Sequence, residues 1–375
     1  MNRILFVDDE PHLLAGLRRM LQVRHGGGWA MSFVDAGAAA LEAMQAQPFD
    51  VVVSDFRMPG LDGAQLLAEV RVRYPRTVRL ILSGYTEQRD LAKLAGVAHQ
   101  FLTKPCDPGE LKRTVELTLA LGLQCHDERV RAEVSGIGTL PSAPPALQDL
   151  LAVLGSASCD TEPVAQALQR DVALSAKVLQ LVNSSFFAPR RRTTSLEDAV
   201  LRLGVQTIRS LVPTSQPVAG PDPAGPGERD GLQLLNDHAL ETARLARRLA
   251  PPAERDDAFC AGLLHVCGHL VPAAGRPGAS GEPAARAGAY LLALWGLPQE
   301  VVEAVARHSG PVEAGADRRL DLVSAVQLAH LLVESGRICA CGPPAPPGPD
   351  RAWLQAAGVL EKISAWRAEQ SEKAS

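Results

Sequence analysis

Aromatic residues are scarce in this sequence: Phe, Trp and Tyr make up 4% of its 375 residues. Its cores must therefore be built from Leu, Val and Ala, a composition that favours helices. No apolar run approaches the roughly 20 residues that a membrane-spanning helix requires. Acidic residues begin at Asp8, too early for the apolar stretch of a secretory signal, so a cytoplasmic location is expected. The seven cysteines are odd in number and lack framework spacing, which argues for reduced thiols over a disulfide scaffold. Cys339-Ala340-Cys341 has no second motif that would complete a metal site. Basic charge is not in excess either. The formal net charge of −4 argues against broad attraction to nucleic acid or to an anionic membrane.

What is present divides in two. Up to about residue 105, brief apolar runs (Ile4 to Val7, Val51 to Val53, Val78 to Leu82) and the weaker Met31 to Val34 and Gln100 to Leu102 alternate with amphipathic stretches. Continuous apolar runs are what strands buried on both faces look like, and their alternation with helices predicts a doubly wound parallel α/β sheet. Beyond that point the strand signal stops. A helix is expected from Pro108 to about Leu121, running on through Asp127 to Glu133 if the charged stretch continues it. Ser135 to Gly138 and the prolines at 141, 144 and 145 read as a linker. From Leu147 the pattern is helical almost throughout, with Asp171 an expected N-cap and Thr194 to Glu197 an expected capping box. The stretch 213–227, rich in Pro and Gly, is expected to be a loop, and 342–349 a second break before a last helix containing Leu354, Leu360 and Ile363.

The chemistry of the first half lies at the ends of its strands. Asp8 and Asp9 follow the first strand, Asp55 the third, Ser83 ends the fourth and Lys104 follows the fifth. With flavodoxin-like strand order, the carboxyl ends of adjacent strands form a crevice at the switch point. Three carboxylates there would repel one another unless a hard cation joined them, and oxygen ligands suit Mg²⁺. A carboxylate beside Mg²⁺ can accept a phosphoryl group as an acyl phosphate, with Lys104 and the Ser83 hydroxyl in contact with the added oxygens. Each residue alone reads as an ordinary cap or turn residue, and the weight lies in their order.

The motifs DDE (8–10), SDFRMPGLDG (54–63), LSGY (82–85) and FLTKP (101–105) strongly resemble the receiver domain of two-component response regulators. That resemblance implies Asp55 as phosphoacceptor and a Mg²⁺ site of Asp8, Asp9, Asp55 and the Arg57 backbone carbonyl. It further implies Ser83 and Phe101 as a switch pair, Lys104 as the phosphate contact and a sensor histidine kinase as phosphodonor.

The second half resembles the HDOD output domain, through QALQRDVALSAKVLQLVNSSFF, SLEDAVLRLGVQTIRSLV, DHALETARLARRLA, DAFCAGLLHVCGHLV and AVQLAHLLV. HDOD domains are relatives of HD-type metal phosphohydrolases and are described as non-catalytic, acting through protein contacts. Measured against the enzymes, His238 and His265 stand at His positions, but Val266 replaces the Asp that should follow His265. Ala284 stands where a His is expected, the paired His is reduced to His308-Ser309, and His330 replaces the distal Asp. The reading is a degenerate site without catalysis or cofactor, its histidines buried and hydrogen-bonded. A metal site on His265 and His269, four residues apart, is the weaker reading.

The expected architecture is an α/β flavodoxin-like receiver at 1–122, a helical and Pro/Gly linker at 123–140, an all-helical HD-like output domain at 141–341, and a Pro-rich break with a final helix at 342–375. The expected partners are a histidine kinase and an unidentified protein at the output domain, with a homodimer as one allowed assembly and no membrane. Two rival readings stand beside it. One is a metal-dependent phosphodiesterase with a remodelled HD site. The other is a DNA-binding regulator, prompted by Arg190-Arg191-Arg192 and the helix-turn-helix look of LRLGVQTIRSLV, and disfavoured by overall acidity.

Overall fold

Five parallel strands open the chain: β1 (Asn2–Val7), β2 (Trp29–Val34), β3 (Val51–Asp55), β4 (Val78–Ser83) and β5 (Gln100–Thr103). They are ordered β2-β1-β3-β4-β5. The computed structural model describes residues 1–25, 28–84, 94–124, 127–156, 160–184, 187, 192–212, 216–217, 226–271, 281–312, 320–334, 354–355 and 357–374. Every residue of β3 and β4 is buried, as their apolar runs require of central strands covered on both faces. Helices α1 (Pro11–His25), α2 (Gly37–Ala46) and α3 (Gly63–Arg73) supply the crossovers. α3 starts on a full capping box, with Asp62 accepting from the Gln65 amide and the Gln65 side chain accepting from the Asp62 amide.

The helix after β5 is not continuous. α4 (Pro108–Gln124) ends, and α5 (Glu128–Gly136) starts afresh on Asp127, whose carboxylate accepts from the Arg129 and Val130 amides. The stretch read as a loose linker is instead packed. Ser135 is fully buried, and a Cβ on Gly138 would lie 2.0 Å from the Gly96 carbonyl oxygen.

The second half is helical: α6 (Pro144–Gly155), α7 (Thr161–Leu168), α8 (Val172–Val182), α9 (Leu196–Leu203), α10 (Val205–Leu211), α11 (Pro226–Leu249), α12 (Arg255–Leu264), α13 (Gly281–Leu294), α14 (Gln299–Arg307), α15 (Leu322–Glu334) and α16 (Leu360–Ala374). A 3₁₀ segment, His265–Leu270, extends α12. All of α8 is buried, as a helix apolar on every side must be in the interior of a domain. Each fully buried Val or Leu there contributes roughly 1.5–3 kcal/mol.

Three local expectations change. Ser195, not Thr194, caps α9, while the Thr194 hydroxyl donates to Asp257 at 2.7 Å. Within the stretch expected to be a loop, Gln216–Pro217 pairs in parallel with Pro141–Ser142, and α11 already begins at Pro226. The helix-turn-helix look resolves into α9 and α10 joined at Gly204, whose φ of 77° ends α9. The Arg209 guanidinium of α10 donates to the Leu154 carbonyl. Arg190, Arg191 and Cys339 to Cys341 lie outside the described residues, as do 342–349.

Helix α13 crosses the 3₁₀ segment where two glycines meet. A Cβ on Gly268 would sit 1.7 Å from the Ala284 carbonyl oxygen and 2.9 Å from the Gly288 nitrogen. Gly268→Ala is expected to destabilise the protein by about 2–3 kcal/mol, since backbone on both sides must shift. Urea denaturation should show a lower midpoint with an unchanged slope.

Candidate functional site

The strand order reverses between β1 and β3, and their carboxyl ends carry the acids. Asp8 and Asp55 are buried and Asp9 is exposed, and carboxylate oxygens of all three lie within 4.8 Å of one another. Lys104 Nζ lies 2.6 Å from Asp55 Oδ1 and 2.7 Å from Asp8 Oδ2. Asp8 Oδ1 accepts from the Glu10 amide at 3.0 Å. Behind the site, Gly63 presses on the Asp55 backbone, where a Cβ would come within 2.0 Å of the carbonyl oxygen. Glycine is therefore what lets α3 begin so close under Asp55.

Burial, which disfavours a carboxylate, raises the Asp55 pKa to about 6 against the lowering pull of Lys104. Burial also works against the Lys104 ammonium, but its bonds to Asp55 and Asp8 outweigh that and raise its pKa. One ammonium faces three carboxylates, so the crevice keeps net negative charge. Its oxygen-only donors fit a hard divalent cation such as Mg²⁺. Arg57 is exposed on the loop after β3. Ser83 ends β4 and Phe101 is the second residue of β5, opposite Ile81, and both are buried.

Known protein families match the chain in separate stretches. The family model described as response regulator receiver domain matches residues 4–116, and that of the HDOD domain matches 140–280. The chain has the architecture of a response regulator, a receiver domain followed by an HDOD domain. The HD domain model also matches the regulator over residues 236–333. Among curated relatives, the hydrogenase transcriptional regulatory protein HoxA of Cupriavidus necator is 37% identical over 136 residues, 35% of this chain and 27% of that protein. The transcriptional regulatory protein ZraR of Escherichia coli is 29% identical over 194 residues, 48% of this chain and 43% of that protein. The regulator thus spans less than half the length of each of these relatives. The solved receiver domain of an HD domain-containing protein from Pseudomonas fluorescens is 28% identical and matches 32% of the regulator and 94% of that chain, with a TM-score of 0.29. No described helix is long and apolar enough to cross a membrane.

A network missed in the sequence ties the regulator's sheet to its output domain. Arg79 on β4 is fully buried, and its pKa is lowered to about 9 by burial and then by Arg71. Its guanidinium donates to the carbonyls of Val97 at 2.6 Å and Ser135 at 2.7 Å. The Arg79 amide donates to His99 Nδ1, which leaves the His99 proton on Nε2 to donate to the Ser135 carbonyl at 2.9 Å. Ser135 Oγ in turn meets the Tyr290 hydroxyl of α13 at 3.2 Å.

Beside this network, Lys177 of α8 donates to the carbonyls of Ala95 at 2.6 Å and Gly138 at 2.5 Å and to Gln180 Oε1 at 2.7 Å. Its ammonium also lies 4.2 Å from the Trp295 ring centre. Burial, then Arg79 and Arg71, hold the Lys177 pKa well below its ordinary value. Gln180 donates to the His99 carbonyl at 2.8 Å, and Gln100 of β5 reaches the Ala293 carbonyl. The signals were visible: a lone Arg inside VRLILS and a lone Lys inside VALSAKVLQLV, charges that an apolar element holds only with partners.

The HD remnants converge more than their losses suggested. His238 on α11, His265 at the start of the 3₁₀ segment and His330 on α15 bring ligand nitrogens within 4.8 Å of one another. The His308 ring, at the end of α14, packs against His265 and His330 at 4.8 and 4.9 Å between centres. Val266 and Ala284 are buried. His269 is not in this group, because in a 3₁₀ turn of three residues a side chain four positions on no longer shares a face.

Asp55 gives a direct test of the site's electrostatics. In Mg²⁺-free protein its carboxyl should titrate near pH 6 by carbon-13 NMR, and Lys104→Met, which removes the lowering interactions, should move it higher. The folded value lies above the ordinary 3.8. This site therefore costs stability above about pH 6, and the cost is relieved as pH falls from 6 towards 4.

Proposed function

We propose that this regulator is switched by Mg²⁺-dependent phosphorylation of Asp55, with a sensor histidine kinase as donor, and that its output domain acts by protein contact without catalysis. The observation that carries the reading is the convergence of Asp8, Asp9 and Asp55 with Lys104 Nζ 2.6 Å from Asp55 Oδ1. An Asp55 carboxylate oxygen attacks phosphorus, the bond from phosphorus to the donor's imidazole nitrogen breaks, and the imidazole leaves with that electron pair. Asp8, Asp9, Asp55 and the Arg57 carbonyl would hold Mg²⁺, which when bound offsets the charge gathered on the phosphoryl oxygens. Lys104 shifts from carboxylate to phosphoryl oxygen, and Ser83 donates its hydroxyl to another.

The route outward runs through β5 rather than through a continuous helix, since α4 and α5 are separate. Phe101 lies between Gln100, which reaches α13, and Leu102 on a strand that also borders a cleft of about 1150 Å³ between the two halves. When Ser83 is drawn to the phosphate, Phe101 repacks into the space it leaves, and the contacts of Gln100 and His99 with α13 and α8 change with it. The HD match favours a phosphohydrolase as the second reading. Val266 and Ala284 count against it, since neither side chain has a lone pair to offer a metal or a water.

Labelling by a small phosphodonor should require Mg²⁺ and vanish in Asp55→Asn. Equal labelling of that variant would overturn the assignment. Beryllofluoride should change partner affinity or self-association by about 5- to 150-fold, read by sedimentation and partner titration. Ser83→Ala should shrink that response while keeping phosphorylation. An unchanged state with Asp55 verified as modified would separate the receiver from control of the output domain.

A further inference from the structure

Phosphorylation at Asp55 makes no use of the polar groups that line the cleft of about 1150 Å³ between the two halves. One wall is β5 with Glu110 and Arg113 of α4, and the output domain supplies the other, with Arg192, Trp295 and Glu300. Trp295 is 1% exposed, yet its indole N–H has no acceptor among the described residues. Burying an unpaired donor is costly, so a molecule that brings an acceptor to it gains affinity. The two guanidiniums are also largely unused. Arg113 donates through Nε to the Gly109 carbonyl at 3.3 Å, and Arg192 through Nη1 to the Leu297 carbonyl at 3.0 Å. Among the described residues neither forms an ion pair. Arg192 keeps part of its surface open, but the protein crowding it lowers its pKa; Glu110 and Glu300 oppose that shift and Arg113 adds to it. These four charged groups therefore share one field.

The other acids of the cleft are engaged. Asp256 pairs with Arg247 at 3.1 Å, and Asp257 accepts from the Thr194 hydroxyl at 2.7 Å. What is left over is two guanidiniums, one indole N–H and the carboxylates of Glu110 and Glu300. Two cations balance two anions, so the cleft does not attract anions in general; it suits a molecule with an anionic end and donor groups elsewhere. Planar guanidiniums match phosphate oxygens, which accept from both at once. Carboxylates only accept, so they match hydroxyl or amine donors on the same molecule. Small-molecule sites commonly measure roughly 300–1,000 Å³ and favour domain interfaces, so this cleft has room for a nucleotide and some water, and inorganic phosphate would fill little of it. We propose that the cleft binds a nucleotide, with its phosphates on Arg113 and Arg192, its sugar and base donors on Glu110 and Glu300, and one of its acceptors on the Trp295 N–H. The walls come from both halves, so the bound molecule bridges receiver and output domain. This inference does not depend on Asp55.

The test is calorimetric titration of the full chain with ADP, GDP and CDP in EDTA, which keeps divalent cations from the Asp55 crevice. At least one nucleotide should bind at about one equivalent with a Kd of roughly 100 μM or tighter. Inorganic phosphate and the matching nucleoside should each bind at least about ten-fold more weakly, as should the nucleotide to Arg113→Gln and Arg192→Gln. Asp55→Asn should bind as wild type does, which places the site outside the phosphoacceptor crevice. Trp295→Phe removes a donor that no protein atom uses, so it should fold normally and bind about three- to ten-fold more weakly. In wild-type protein with nitrogen-15 tryptophan, the indole signal that Trp295→Phe lacks should shift on nucleotide addition. If the arginine variants fold poorly by circular dichroism, that signal and the wild-type titrations still decide. Binding of none of the three nucleotides, equal affinity for inorganic phosphate, full affinity in both arginine variants, loss of binding in Asp55→Asn, or an unmoved Trp295 signal overturns the proposal.

Discussion

Lys177 is the contact on which the two halves of the molecule depend. Its ammonium is fully removed from water and is held by carbonyls of Ala95 in the receiver and Gly138 in the connecting segment. Leaving such a buried group without its hydrogen-bond partners costs about 1–3 kcal/mol or more, so the seam is most stable with both sides in place. Arg79 repeats the arrangement from the receiver side, reaching the Ser135 carbonyl beyond α4. Both cations are answered mainly by backbone oxygens, so what they specify is the position of chain segments rather than the identity of a side chain opposite.

The same constraint accounts for the close packing of the segment that connects the domains. Gly138 lies against the Gly96 carbonyl and Ser135 is buried against Tyr290, so a segment that composition marks as a linker is part of the interior. Asp127 separates it from α4 with a cap of its own. β5 then lies between the phosphoacceptor crevice on one side and α8 and α13 on the other, one strand in contact with both chemistry and output.

How much was legible followed from where each feature's information lies. Asp8, Asp9, Asp55, Ser83 and Lys104 sit at strand ends, and strand order alone brings strand ends together, so their meeting could be reasoned from the chain. The helix break at Asp127 was equally visible as an acid before Glu128, but the helical charge pattern on either side left both a break and a continuation open. The seam was harder: Arg79 and Lys177 were conspicuous, yet their partners are backbone atoms, which have no sequence signature. The histidine cluster was hardest. Comparison with the enzymes counted the ligands lost at Val266 and Ala284, while His308 and His330 gain meaning only once α14 and α15 are folded against α11.

The seam also runs in reverse. Any protein that grips the output domain more tightly in one arrangement of α8 and α13 must, by thermodynamic reciprocity, alter by the same factor how tightly the crevice at Asp55 holds its cation or a phosphate mimic. A ligand of the helical half is then an effector of the receiver, and the occupancy of the aspartate site reports on what the far side of Lys177 has bound.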